Sequence, residues 1–364
     1  VHPWIAEFNK DRMADQWFGK EWTRLRGDLN YAAHSGPDDV EAEGVGYEQG
    51  RTFPHPLTGG KDKIGRHYYE AMTFSPYANE LLLALAKRAI VAEKLGQNEG
   101  PDLLTLSFAS NDLVGHCWGP DSQEVLDITL RTDRIVKDLL DFLDVRVGKN
   151  RYMLVLCADH GICPIPEVAK AKGKDAGRIA KDLVTAQANA FLNATFGKAG
   201  DKEPYIEAFA GHWIYLNRGT LKELGLRQGR VEDALARWLV KQDGIQAAYT
   251  RTHLMKGPLK DDPLGEGVRL SFYPERSGDV AVIQKPYYLI GPAVNPKYAD
   301  TYRTTHGTPH PYDTHVPLLV YGPGVRAGAR DERVSPLAVA AILARGLGIT
   351  PPKEAQPVPT GLFK

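Results

Sequence analysis

"LCADHGICPIP", residues 156–166, decides the fold. An apolar run, Tyr152-Met153-Leu154-Val155-Leu156, ends in Asp159 and His160 side by side and then turns at Gly161. A short apolar run bounded by turn residues is the pattern of a strand buried in a sheet. Open α/β sheets hold their ligands just outside the carboxyl ends of their strands, so a carboxylate and an imidazole placed there are candidate site residues.

The same pattern appears upstream. "DLLTLSFASND", 102–112, reads as a second short strand ending near Ser110, with Asp112 at its mouth. A helix over Asn79 to Leu95 precedes it, with Asn79 as its cap. A long helix from about Ser122 to Leu143 joins the two strands. Val125, Ile128, Ile135, Leu139 and Phe142 form its apolar face, and Asp121 with Glu124 suggests a capping box. Strand, helix and strand in succession predict an α/β fold, a mostly parallel sheet flanked by helices.

Residues 165–290 break the rhythm and read as a smaller α+β insertion. It holds a helix to about Phe196, strands at "HWIYLNR", "VRLSFYPE" and "DVAVIQKPYY", and a helix at "RVEDALARWLVKQ". The sheet resumes at "VPLLVYGPG", 316–324, and "SPLAVAAILARGLG" closes the chain as a helix ended by Gly and then Pro351-Pro352. The expected organisation is an irregular cap segment at 1–75, a first part of the α/β core at 76–164, the insertion at 165–290 and a last part of the core at 291–364.

Composition bounds the function. The chain has 364 residues, 43% hydrophobic and 25% charged, with zero formal net charge. No basic excess or stripe marks a nucleic-acid binder. No apolar run reaches the length of a membrane span. Cys117, Cys157 and Cys163 lack paired spacing, and an odd count gives no disulfide framework, although one bridge plus a free thiol stays open. The stretch from Val1 lacks the parts of a signal peptide.

Three clusters carry the chemistry: Asp112 with His116; Asp159 with His160; and "TTHGTPHPYDTHVPLL", with His306, His310 and His315. Carboxylate oxygen and imidazole nitrogen are good ligands for zinc and other divalent metals. Asp112 and His116 reach one ion if the turn after the strand is helical. Asp159 and His160 point apart in an extended chain, so they need either the turn at Gly161 or a second ion about 3.5–4 Å from the first. Any one of these residues alone reads as a helix cap or a core histidine; the three clusters together read as a site. Cys117 and Cys163 flank it without a base or cationic partner in sequence, and read as bystanders.

"FASNDLVGHCWGPDS", "LVLCADHG" and "THGTPHPYDTHVPLLVYGPG" resemble the metal-binding motifs of the alkaline phosphatase superfamily. The branch most similar is the type I phosphodiesterase / nucleotide pyrophosphatase group and the bacterial alkaline phosphatases that resemble it. "FNKDRMADQWFGKEWTRL", "SPYANELLLALAKRA" and "RSGDVAVIQKPYY" extend the likeness over nearly the whole chain. The resemblance implies a zinc-dependent phosphate-ester hydrolase, periplasmic or secreted, acting on small-molecule esters with no nucleic-acid partner. Two Zn2+ ions would serve the full-length enzyme, one held by Asp112, His116 and a late histidine, the other by Asp159 and His160. His306 is the preferred late ligand, His315 the rival, and His310 third. The branch favours phosphomonoesters, with phosphodiesters or nucleotide pyrophosphates as the alternative. A mutase or sulfatase of the same superfamily and a non-catalytic metal-binding fragment are further readings.

The family's Thr or Ser nucleophile, in a segment like T-x-P-G-H-A-T, has no match here, nor has the early Asp that completes the second ion site. The chain reads as the C-terminal two thirds of such an enzyme. Alone it is expected to hydrolyse little, and to expose a sheet edge or apolar patch.

Overall fold

The computed structural model describes residues 2–200, 203–291 and 301–364. The chain divides into two compact units: Val1–Gly161 with His315–Lys364, and Ile162–Thr314. The junction expected at 290/291 borders residues 292–300, which lie outside the described residues.

In the first unit, short helices and turns lead to helix α1 (Tyr77–Ala92), α2 (Ser110–Trp118) and α3 (Gln123–Leu143). Strand β1 (Leu154–Cys157), strand β2 (Leu318–Tyr321) and helix α4 (Ala338–Leu347) complete it. Helix α3 follows its sequence pattern: Ile128, Ile135 and Leu139 are buried. Its cap differs from the expectation. Ser122 accepts a hydrogen bond from the Val125 N–H at 3.1 Å, while Glu124 turns inward to His55 Nε2 at 2.9 Å. The expected Asp121–Glu124 box does not form, because Glu124 is committed to a buried partner. Asn79 is likewise no cap: α1 starts two residues earlier, and the buried Asn79 side chain donates to Asn111 Oδ1 at 2.8 Å.

The strand expected from 102 to near Ser110 does not form; residues 102–108 make no ladder, and the next element is α2. A strand needs a neighbour for its N–H and C=O groups, and no described segment offers one. Strand β1 forms where expected and pairs antiparallel with β2, Leu154 opposite Tyr321 and Cys157 opposite Leu318. Leu318 and Val320 pack with Met153 and Val155 against Ala338 and Ile342 of α4. Their alternates on β2, Leu319 and Tyr321, are 56% and 44% exposed. The strand expected to be buried, β1, has Leu154, Val155 and Leu156 half-buried and Cys157 exposed, and the period-2 alternation of a strand covered on one side appears on its partner β2. Leu103, Leu337, Leu343, Leu347 and Ile349 line an open apolar groove along α4.

The second unit carries a four-stranded antiparallel sheet in the order Ile206–Ala210, Trp213–Leu216, Val280–Gln284, Ile245–Thr250. Helices Lys181–Phe196 and Gln228–Leu239 close its core through Ala188, Leu192, Val231, Leu235 and Leu239. Gly177–Ala180 pairs in parallel with Tyr288–Gly291. The expected strand at "VRLSFYPE" is instead the end of a helix, Pro263–Leu270, and a turn. Pro263 at the first helical position, with Asp262 accepting from the Gly265 N–H at 2.9 Å, starts that helix and overrides the local apolar pattern. The α/β class holds, with helices packed on sheets. Strand direction departs from the expectation: among the described residues one ladder is parallel and the others are antiparallel.

A buried acid in the first unit yields a pH prediction. Glu43 is only 7% exposed, and burial first, then Glu124, Asp38 and Asp39, push its carboxyl up to about 9 against the opposing pull of Arg51. The folded state therefore holds this proton over a range where the unfolded chain has released it. Stability falls as pH rises from the ordinary carboxylate range toward 9, by up to ~1.4 kcal/mol per pH unit for one such group. Glu43→Gln removes that slope. Urea denaturation should find the variant gaining on wild type between pH 5 and pH 8; a constant difference would contradict the buried neutral acid.

Candidate metal-binding side chains

Asp112 and His116 both sit on α2, one helical turn apart. The helix is fixed by its apolar side. Val114, Cys117 and Trp118 pack with Trp22, Phe74 and Ile128. The Cys117 carbonyl accepts from the Gly44 N–H at 2.8 Å, and Trp118 Nε1 donates to the Gly50 carbonyl at 3.1 Å. Gly119, at φ 85°, ends the helix in a conformation that favours glycine. At the other end, Asn111 Oδ1 lies 2.8 Å from Asn79 Nδ2 and 3.1 Å from Thr132 Oγ1, which ties the first turn of α2 to α1 and α3.

The i, i+4 spacing then brings the two side chains together, with His116 Nε2 3.2 Å from Asp112 Oδ2. His116 is buried and Asp112 about one-third exposed. A carboxylate oxygen and an imidazole nitrogen at this separation fit two positions in the shell of one divalent ion. The helical turn required by the sequence reading is present, although α2 begins without a preceding strand.

Asp159 and His160 follow β1. Their side chains do not point apart: His160 Nε2 lies 3.5 Å from Asp159 Oδ2. His160 Nδ1 is 2.9 Å from the Gly161 carbonyl. A carbonyl only accepts, so Nδ1 donates there, the backbone contact that commonly orients a metal-ligating histidine. Asp159 is exposed and His160 half-buried.

The late histidines belong to different environments. His306 is half-buried, His310 is buried and His315 is exposed. His310 Nε2 sits 2.8 Å from the Gln284 carbonyl, and the Gln284 amide nitrogen is 3.3 Å from His212 Nε2. Burial, then the neighbouring His310, hold His212 below the ordinary imidazole range. His310 is thus engaged by the end of a strand, in the role of a packing residue. Cys117 and Cys163 are buried free thiols, Cys157 is an exposed one, and no disulfide forms among them. Burial pushes the Cys163 thiol up to about 12, which suits a bystander.

Asn111, Thr132, Thr308 and Asp313 escaped the sequence reading, and Asn79 was read there only as a helix cap. Each acts through a contact distant in sequence or hidden inside a turn. Only the proximity of Asn111 to Asp112, and of Thr308 to His306, hinted at them.

Comparison with known proteins places the chain in a family. Residues 10–312 match the family model described as type I phosphodiesterase / nucleotide pyrophosphatase. The chain is 31% identical over 334 residues to alkaline phosphatase PafA of Elizabethkingia meningoseptica, covering 90% of this chain and 57% of that protein. It is 31% identical over 353 residues to a Myroides odoratus protein named calcium-transporting ATPase, covering 95% of this chain and 61% of the relative. The crystal structure of wild-type PafA superposes with a TM-score of 0.85 at 28% identity, over 100% of this chain and 66% of that one. The chain thus spans about three fifths of the length of the relatives it matches. With the motifs, the α2 pair and this similarity in agreement, the chain belongs to the type I phosphodiesterase / nucleotide pyrophosphatase family of the alkaline phosphatase superfamily.

Proposed function

We propose that this chain supplies the metal-holding part of a zinc-dependent phosphate-ester hydrolase that prefers phosphomonoesters. The observation that carries the reading is the Asp112–His116 pair, one turn apart on a buttressed helix with oxygen and nitrogen 3.2 Å apart, in a chain of this family. Asp112 and His116 would hold one ion, joined by a late histidine that the motif assigns to His306, with His315 as the rival. Asp159 and His160 would contribute to the second. Zinc bound there would supply Lewis-acid stabilisation of the ester oxygens and would lower the pKa of the attacking hydroxyl. The chain's own residues hold and orient: the packed face of α2 fixes Asp112, and the Gly161 carbonyl orients the His160 ring. Turnover through a covalent phospho-enzyme requires a Thr or Ser nucleophile from outside these residues. Small phosphate esters are the substrate class, and a periplasmic or secreted location follows from the resemblance.

The full gene product, assayed with zinc against p-nitrophenyl phosphate, bis-p-nitrophenyl phosphate and p-nitrophenyl sulfate, should hydrolyse the monoester fastest by at least ~10-fold, about 1.4 kcal/mol of transition-state preference. A faster diester would move the assignment to a phosphodiesterase or nucleotide pyrophosphatase. Activity unchanged by exhaustive chelation would end the metal reading.

A further inference from the structure

We infer that Thr308 and Asp313 are positioning residues for His306: together they form a buried clasp that fixes the turn on which that histidine stands. The inference rests on the reading of His306 as a ligand.

His306 lies between two anchors within the second unit. On one side, Thr304 Oγ1 donates to the Cys163 carbonyl at 2.5 Å and the Cys163 N–H donates to the Thr305 carbonyl at 3.2 Å. On the other, Asp313 Oδ2 accepts from both the Thr308 N–H at 2.7 Å and the Thr308 hydroxyl at 2.6 Å. The Thr308 hydroxyl spends its one proton on Asp313, so its lone pair is left for the His310 N–H at 3.3 Å. The His310 carbonyl accepts from the backbone of Asp313 and Thr314, both at 3.0 Å, and His310 Nε2 meets the Gln284 carbonyl. Every donor in this clasp has one acceptor, and the hydroxyl both gives and receives.

Burial argues that the clasp has a purpose. Asp313 is 3% exposed and Thr308 is 7% exposed. Burying a carboxylate is costly, and the two Thr308 bonds to Oδ2 offset part of that cost. A turn held only for connection would manage with water. The residue between His306 and the clasp also limits the path: Gly307 has φ 104°, and a Cβ there would stand 3.5 Å from the His212 ring. His306 is therefore followed at once by a left-handed glycine at contact distance from the half-buried His212 ring, and then by the clasp. Little freedom remains in its backbone position. Residues that orient a metal-ligating histidine typically contribute 10–100-fold in metal affinity.

The test is zinc affinity, measured for the 364-residue chain by competition with a chromophoric chelator, alongside the melting temperature of the metal-free protein. The panel is Thr308→Val, Thr308→Ser, Asp313→Asn, His306→Ala and His315→Ala. Thr308→Val keeps shape and loses the hydroxyl; Thr308→Ser restores it. The expected result is that Thr308→Val and Asp313→Asn weaken zinc binding ~10–100-fold, that Thr308→Ser stays within about 3-fold of wild type, and that His306→Ala weakens it further. A merely structural clasp would lower the melting temperature and leave affinity intact in the molecules that stay folded. That result, with His306→Ala still deleterious, overturns the positioning role. Zinc affinity untouched by His306→Ala but lost in His315→Ala overturns the ligand reading and removes the basis of the clasp with it.

Discussion

Asp127→Ala will destabilise the first unit by about 3–5 kcal/mol, the range for removing one partner of a buried charge network. Asp127 has no solvent exposure and accepts four hydrogen bonds. Trp22 Nε1 and Arg131 Nε donate to Oδ2, each at 2.7 Å. The Leu25 N–H and the Tyr31 hydroxyl donate to Oδ1, each at 2.6 Å. Three of these donors come from residues 22–31 and one from α3 itself, so this carboxylate pins the early segment to the long helix. Truncation leaves the buried Trp22 and Tyr31 donors without this acceptor, at the desolvation cost of each group, and leaves Arg131 with Glu80, 3.9 Å away, as its remaining charge partner. Asp127→Asn keeps one oxygen and should cost less. Urea denaturation at pH 7 provides the measurement, with the midpoint falling and the slope unchanged. A loss under about 1 kcal/mol would mean that the segment is held by packing of Trp22 and not by this hub.

Asp112→Ala and His116→Ala will each weaken zinc binding by at least ~100-fold, more than the loss of an orienting neighbour. Their effect on folding should differ. Asp112 is about one-third exposed and its removal should leave the metal-free protein nearly as stable as wild type. His116 is buried beside Trp118, and its truncation opens a void in addition to removing a ligand. Comparing the two separates coordination from packing. On the proposed function, the same substitutions in the full gene product should abolish phosphate-ester hydrolysis to the same degree as chelation. Retention of zinc affinity in both variants would remove α2 from the site.

The α/β class was legible, and the residue types of the three clusters could be read off, because both are written in local patterns. An apolar run that ends in Asp159-His160 is visible within Tyr152–His160, nine residues. The i, i+4 relation of Asp112 and His116 needs only the knowledge that the segment is helical. The apolar stripe of α3 emerges in the structure as Ile128, Ile135 and Leu139.

The expectations that failed were those depending on partners far along the chain. Residues 102–108 have the composition of a strand, yet composition cannot supply a neighbouring strand. The cap of α3 passed from Asp121 to Ser122 because Glu124 was drawn to His55, 69 residues away. Asn79 left its capping role for Asn111 in the same way. Strand direction also escaped the sequence, since antiparallel and parallel pairing place similar apolar residues on a strand and differ in which segment lies alongside.

What the sequence by itself determined is the chemistry on offer: carboxylates and imidazoles at fixed local spacings, and the helices and strands that bear them. Tertiary structure alone decided which of those groups are held still. The Gly161 carbonyl orients His160, Thr308 and Asp313 lock the turn after His306, and Asn111 ties the start of α2 to its neighbours. The physical reason is that periodicity along a chain records which face a residue takes, whereas a hydrogen bond between distant residues depends on where the backbone brings them, and no local pattern carries that.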